Sequence, residues 1–275
     1  MKYLGLFVVI LCGGLLLWAT QDFPAWGDPH SPASTHLSPH YITEAVHETD
    51  VPNLVTAVLA DYRSYDTMFE TVVIFCAGLA CFLLLRSYEP QKRGWYYRHI
   101  PTGVLIHFKE PSRIPRSTSE FELVDTQWVP YDFIIKTICR ILIPFIQLFA
   151  LYVVAHGDFS PGGGFQGGVI FGASIILLAI SFNLRTAITR VQEKALGILA
   201  VIGVLFYAGI GVWCMLLGGN FFDYSKLAAV LPVDPVHVRA LGMLGVEIGV
   251  GIAVMAVMAI IYVNIASAGM HDEGL

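Results

Sequence analysis

The sequence is short of charge. Asp, Glu, Lys and Arg make up 13% of its 275 residues, about half the share found in a soluble domain. It also lacks any C-x-x-C pair. Cys12, Cys76, Cys81, Cys139 and Cys214 each lie inside an apolar run, where a thiol behaves as a small hydrophobe. Neither a disulfide framework nor a cysteine-held zinc or iron–sulfur site is expected, and no cofactor is assigned to this chain. No basic helix is present, and a net charge of -5 gives nucleic acid nothing to hold. From Gln21 to Tyr62, Lys and Arg are missing altogether.

What is abundant is apolar surface, at 56% of residues and a mean hydropathy of +0.66. It comes in blocks rather than at amphipathic spacing, which points to a bilayer. A membrane-spanning helix takes about 20 mostly apolar residues. Six segments qualify: Tyr3–Thr20, Met68–Leu85, Phe133–Ala155, Phe165–Leu184, Leu196–Leu217 and Ala240–Ala266. The expected fold class is an all-α integral membrane protein with six transmembrane helices, arranged as two plus four. The first span follows Lys2 and lacks a small-x-small cleavage site, so it is expected to stay as an anchor.

Loop charge sets the orientation, because Lys and Arg concentrate on the cytoplasmic side. The loop after span two carries Arg86, Lys92, Arg93, Arg98, Lys109, Arg113 and Arg116, and the loop after span four carries Arg185, Arg190 and Lys194. Both termini are therefore expected in the cytoplasm, with the chain in the cell inner (cytoplasmic) membrane. A two-span unit over 1–86 and a four-span unit over 131–275 are joined by a charged, Pro- and Ser-rich cytoplasmic linker over 87–130. The first external loop, Gln21 to Thr49, holds His30, His36, His40 and His47. Their spacing fits no usual metal pattern, so a solvated loop is expected.

An ionisable side chain inside a span costs about 2.5–3.5 kcal/mol on insertion scales, so each one calls for a reason. Val51, Leu54, Val55, Val58 and Leu59 follow helical spacing and predict an amphipathic interfacial helix. It runs into Asp61-Tyr62-Arg63-Ser64-Tyr65-Asp66-Thr67-Met68-Phe69-Glu70. Asp66 and Glu70 stand four apart, which puts two carboxylates on one helix face. Two readings are open: a pair that exchanges protons or Na+, or an ion pair of Asp66 with Arg63 that anchors the helix end.

Glu247 lies mid-span between Gly245 and Gly249, with no cation within one turn. It reads as a proton or ion relay, or as a protonated acid donating a structural hydrogen bond between helices. The hinge between spans three and four is His156-Gly157-Asp158-Phe159-Ser160-Pro161-Gly162-Gly163-Gly164-Phe165-Gln166-Gly167-Gly168. Gly162, Gly164 and Gly167 satisfy G-x-G-x-x-G formally, but a membrane span precedes them instead of a strand, so no dinucleotide site is implied. Gly162, Gly163, Gly164, Gly167 and Gly168 read as packing residues of a tight helical hairpin that docks into partner subunits. His156 and Asp158 are candidates for a pH-sensitive polar path.

The stretch His156–Gly168 resembles the signature of the B subunit (MnhB/MrpB) of Mrp-type multisubunit Na+/H+ antiporters. Glu247-Ile248-Gly249-Val250-Gly251 resembles the last span of that protein, and the likeness runs over Val129–Ala266. Asp61–Glu70 resembles a pattern at the C-terminal end of the A-type antiporter component, and in the small protein that replaces it in membrane-bound nickel–iron hydrogenase complexes. The chain thus looks like a fusion of an A-type end and a B-type unit, although the Gln21–Thr49 loop is longer than the family leads one to expect. The resemblance implies a transporter subunit rather than an enzyme, with Na+ and H+ as transported ions. It also implies partners among other antiporter subunits, either alone or together with hydrogenase-like redox subunits, within the lipid bilayer. By the same resemblance Asp66 and Glu70 match acids implicated in cation transport. Asp61, Asp66, Glu70, His156, Asp158 and Glu247 are the expected ion and proton pathway. The alternative is a scaffold that only holds the translocating subunits together.

Overall fold

The structure is a computed structural model, and it describes residues 2–86, 95–108, 119–124, 133–182 and 184–267. Lys92, Arg93, Lys109, Arg113 and Arg116, counted in the loop charge, lie outside the described residues, as do Met1 and residues 268–275. Among the described residues, six helices are long and apolar enough to cross a membrane. They start at or before the expected positions, because the polar residues at their ends continue the helix as its first turns.

The chain divides into two compact units, 1–45 and 46–275. In the first, α1 (Lys2–Ala19) is hydrophobic all round and exposes every large side chain from Tyr3 to Trp18, as a helix facing lipid does. The expected loop after it is in fact largely helical. A π-helical turn over Ala33–Leu37 leads into α2 (Ser38–Thr49), on which the unit boundary falls. Pro39 sits in the first turn of α2, where a missing N–H does no harm, and the run after it has no breaker. Among the described residues no group of three metal-type side chains forms, around His36 and His40 or elsewhere.

The second unit is built around its last helix. A short helix α3 (Leu54–Thr56) continues as a π-helix over Ala57–Tyr62 and is followed by α4 (Ser64–Arg86). The expected apolar face is only partly the buried one. Thr56, Ala57 and Ala60 are buried, while Leu54, Val55 and Leu59 stay exposed. In a membrane, small residues allow close approach of protein and large aliphatic ones suit lipid. The linker, read from its charge, Pro and Ser and its lack of a helical period, holds a three-stranded antiparallel sheet of order β2-β1-β3 among its described residues. β1 (Trp95–His99) pairs with β2 (Leu105–Phe108), Tyr96 opposite His107, and with β3 (Phe121–Val124), Tyr97 opposite Leu123.

The remaining spans are α5 (Phe133–Ala155), α6 (Gly164–Phe182), α8 (Glu193–Leu216) and α9 (Pro235–Ala266), with a short α7 (Leu184–Arg190) between α6 and α8. Asp234 caps α9 by accepting from Val236 N at 3.1 Å, and Pro235 follows at the first helical position, which together fix where the helix begins. α9 packs against α8, α6 and α4. Its Gly, Ala and Val residues make this possible. A Cβ at Gly203 of α8 would come within 2.6 Å of Gly249 O, and one at Gly168 of α6 within 2.7 Å of Gly251 O. The small-residue faces of α6 and α9 are therefore filled inside this chain. Gly249 meets α8 and Gly164, Gly168 and Gly172 meet α9, so these glycines serve packing within the chain.

Candidate functional site

Glu247 sits partway along α9, 8% exposed, and among the described residues its Oε2 has no hydrogen-bond partner. The glycine hinge wraps it. A Cβ at Gly157 would lie 2.5 Å from Glu247 Oε2, and one at Gly163 would lie 2.7 Å from Oε1. At Gly164 the imagined Cβ would fall 1.9 Å from the Glu247 carbonyl oxygen. Gly163 also has φ +129°, open to glycine and strained for other residues. Gly162 and Gly167 play a different part and seat the hinge on α5, against Val153 O and Val154. Glycine is thus required here because backbone, not side chain, walls the carboxyl.

A cavity of about 220 Å³ opens beside Glu247. Glu70 of α4 lines it too, with Thr56, Thr67, Gln166 and Tyr207. The structure therefore brings Glu70 and Glu247, 177 positions apart in sequence, onto one cavity among apolar spans. Tyr207 is fully buried and is held at the cavity wall by Ser64, whose hydroxyl lies 3.0 Å from its own and whose carbonyl accepts from it at 3.0 Å.

The other candidates are placed elsewhere. Asp66 pairs with Arg63 at 2.5 Å, both about half exposed. That is the helix-anchoring arrangement, and such a pair is worth about 0–1 kcal/mol. The Asp61 side chain is 8% exposed and takes a two-pronged hydrogen bond from Arg239, Nε to Oδ2 and Nη2 to Oδ1 at 2.8 Å each. A bidentate pair of this kind leaves Asp61 neutralised and held in place. Next to it the Tyr62 hydroxyl donates to Glu48. Burial, and then this hydrogen bond, push the phenol far above its ordinary range. His156 is exposed and stacks on Tyr152 at 4.0 Å between ring centroids, away from the cavity lining. Asp158 is half-buried, its Oδ1 finds no partner among the described residues, and burial raises its proton affinity. It is close enough to Glu247 for their charges to interact.

Arg239, Asn53, Thr56, Gln166 and Tyr207 were not among the expected site residues. Arg239 had a signal, as a lone cation eight positions before Glu247 near the start of an apolar run. Asn53 had one as well, standing just before a helical pattern where Asn is a favoured cap. It accepts from Val55 N at 3.1 Å. No signal in the sequence singles out Gln166 or Tyr207.

Known families match both ends of the chain. Residues 134–260 match the sequence model of a domain related to the MnhB subunit of Na+/H+ antiporters. Residues 7–96 match that of MbhE, the E-type component of MBH. The chain thus joins an MbhE-like region to an MnhB-like one. Among its relatives, an uncharacterized protein of Methanocaldococcus jannaschii is 27% identical, covering 82% of this chain and 80% of its own. A probable A/B-type K+/H+ antiporter protein of Rhizobium meliloti is 24% identical over 88% of this chain, which spans 24% of that longer protein. The putative antiporter protein mnhB2 of Staphylococcus aureus is 26% identical and aligns 94% of its length with 49% of this chain.

Two solved structures share the fold of this chain. One chain of the Mrp complex from Dietzia sp. superposes with a TM-score of 0.58 at 22% identity, covering 98% of this chain and 25% of that one. A chain of the membrane-bound sulfane sulfur reductase, an archaeal respiratory membrane complex, superposes with a TM-score of 0.52 at 20% identity, covering 92% and 97%. The Glu70–Glu247 cavity draws one acid from each matched region: Glu70 falls within the MbhE-like match and Glu247 within the MnhB-like one.

Proposed function

We propose that this chain is a membrane subunit of a Mrp-type antiporter module, free-standing or attached to a redox-driven complex such as a membrane-bound hydrogenase, and that it helps move cations and protons. One observation carries the reading: the buried carboxyl of Glu247, whose Oε2 finds no partner among the described residues, opens on the same cavity as Glu70. Carboxyls persist at such depth where they handle ions or protons. The names of its relatives, an A/B-type antiporter protein and mnhB2, point the same way.

In this reading Glu247 and Glu70 bind and release protons in exchange for Na+, with Asp158 joining the cavity to the hinge. Asp66, Asp61 and His156 hold structure around the path rather than carry ions. The chain performs no redox chemistry, carries no cofactor or metal, binds no nucleic acid and works with other antiporter subunits in the bilayer. The units over 1–86 and 131–275, with 87–130 between them, are its inherited parts. Both termini lie in the cytoplasm of a cell whose inner membrane holds the complex. Replacement of Glu247 and of Glu70 by Gln in the intact complex, followed by Na+-driven proton movement in membrane vesicles, tests this. Loss of at least tenfold in flux with normal assembly is expected. Full flux in both variants overturns it in favour of a scaffold.

A further inference from the structure

The glycine hinge that walls Glu247 is itself held by two residues from the other fused unit. Asn53 Nδ2 lies 2.7 Å from Gly157 O and 2.7 Å from Ser160 O. The Thr56 hydroxyl donates to Gly157 O at 2.7 Å and also lies 3.0 Å from Asn53 Nδ2. The backbone N–H of Asn53 donates to Asp158 O at 2.9 Å. Three carbonyls of one four-residue turn are thus gripped by two residues of one helical start. Thr56 is 3% exposed and lines the cavity.

The grip falls on the part of the hinge that matters. Gly157, taken by both side chains, is the residue whose added Cβ would meet Glu247 Oε2, and Asp158 follows it in the chain. A glycine-rich turn between two helices has little stiffness of its own, so what fixes its distance from Glu247 must come from outside it. Hydrogen bonds inside the low-dielectric interior are stronger than in water, and losing one leaves a buried carbonyl unsatisfied. The same helical segment leads through the π-helix into α4 and Glu70, so one element both presents Glu70 and closes the hinge over Glu247.

We propose that Asn53 and Thr56 are positioning residues that keep the glycine hinge closed over Glu247 and thereby govern access to its carboxyl. The proposal rests on the reading of Glu247 as an exchanging acid, but its test is separable from that reading. A membrane-soluble carbodiimide reacts with protonated carboxyls in the bilayer, and its adduct on the Glu247 peptide is measured by mass spectrometry in the purified full-length chain or complex. Asn53→Ala and Thr56→Val are expected to raise the labelling rate of Glu247 threefold or more. Thr56→Ser, which keeps the hydroxyl, is expected to label as the unaltered chain does.

Equal labelling in Thr56→Val and the unaltered chain overturns the proposal. So does an increase in Thr56→Ser as large as that in Thr56→Val. If Asn53→Ala fails to accumulate, the Thr56 pair decides alone. Flux in Glu247→Gln distinguishes the two claims: full flux there removes the exchanging acid, whatever the labelling rates say of the hinge.

Discussion

Gly164→Ala adds one methyl group where α6 touches α9, and the structure fixes what that methyl meets. Its Cβ would stand 1.9 Å from Glu247 O, 2.6 Å from the carbonyl carbon and 2.9 Å from Cα. All three are backbone atoms, so no rotamer change relieves the clash. Carbon and oxygen sit comfortably at about 3.5 Å, so α6 must withdraw from α9 by roughly 1.5 Å. Such overpacking costs about 1–3 kcal/mol and often more when backbone must move. The displaced backbone belongs to Glu247, so flux should suffer along with stability. Gly197→Ala is the control: its Cβ meets nothing within 4 Å, and in a helix interior Ala is better than Gly by about 1 kcal/mol. In detergent, thermal unfolding followed by tryptophan fluorescence should show Gly164→Ala melting well below the unaltered chain and Gly197→Ala at or above it. If Gly164→Ala melts with the unaltered chain, the close α6–α9 contact is wrong, and with it the backbone wall around Glu247.

Three further outcomes follow from particular contacts. Arg239→Ala leaves Asp61 buried without its cation and should cost about 3–5 kcal/mol, whereas Arg63→Ala removes an exposed partner of Asp66 and should cost under about 1 kcal/mol; equal melting shifts would refute the distinction. Asp158 holds its proton more tightly when folded because burial penalises the charge. Folding is therefore favoured below the ordinary carboxylate range and weakened as pH rises through the raised folded value. Asp158→Asn should stabilise the chain at neutral pH and lose that advantage in acid, read from melting curves at both pH values. Tyr224→Phe removes the donor to Ala60 O, a 2.9 Å bond in the core, and should destabilise by about 1–2 kcal/mol, with no change in the flux remaining per assembled complex.

The membrane fold was legible because a bilayer imposes length and hydropathy on each span separately, so six spans and their sequence order could be read locally. The acids were legible for the same reason: Glu247 stands out in an apolar run whatever surrounds it. The hinge glycines were legible as unusual but not in their purpose, because a missing side chain shows nothing of what occupies its place. The helix after Gln21 was missed because Pro and Ser signal a loop until the chain places them at helix starts. The linker strands were missed because short strands draw their stability from pairing, which the local pattern does not display.

By itself, then, the sequence determined a six-span membrane chain with a buried acid and two antiporter-like signatures, since hydropathy and motif are properties of consecutive residues. Tertiary structure alone decided which acids belong together. Asp66, adjacent to Glu70 in the helix, turned outward to Arg63, while Glu247 came to the same cavity as Glu70 from the far end of the chain. It also decided that the glycines close on Glu247 and that Asn53 and Thr56 hold them there. Those are contacts between helices, set by packing in three dimensions and by nothing local to either partner.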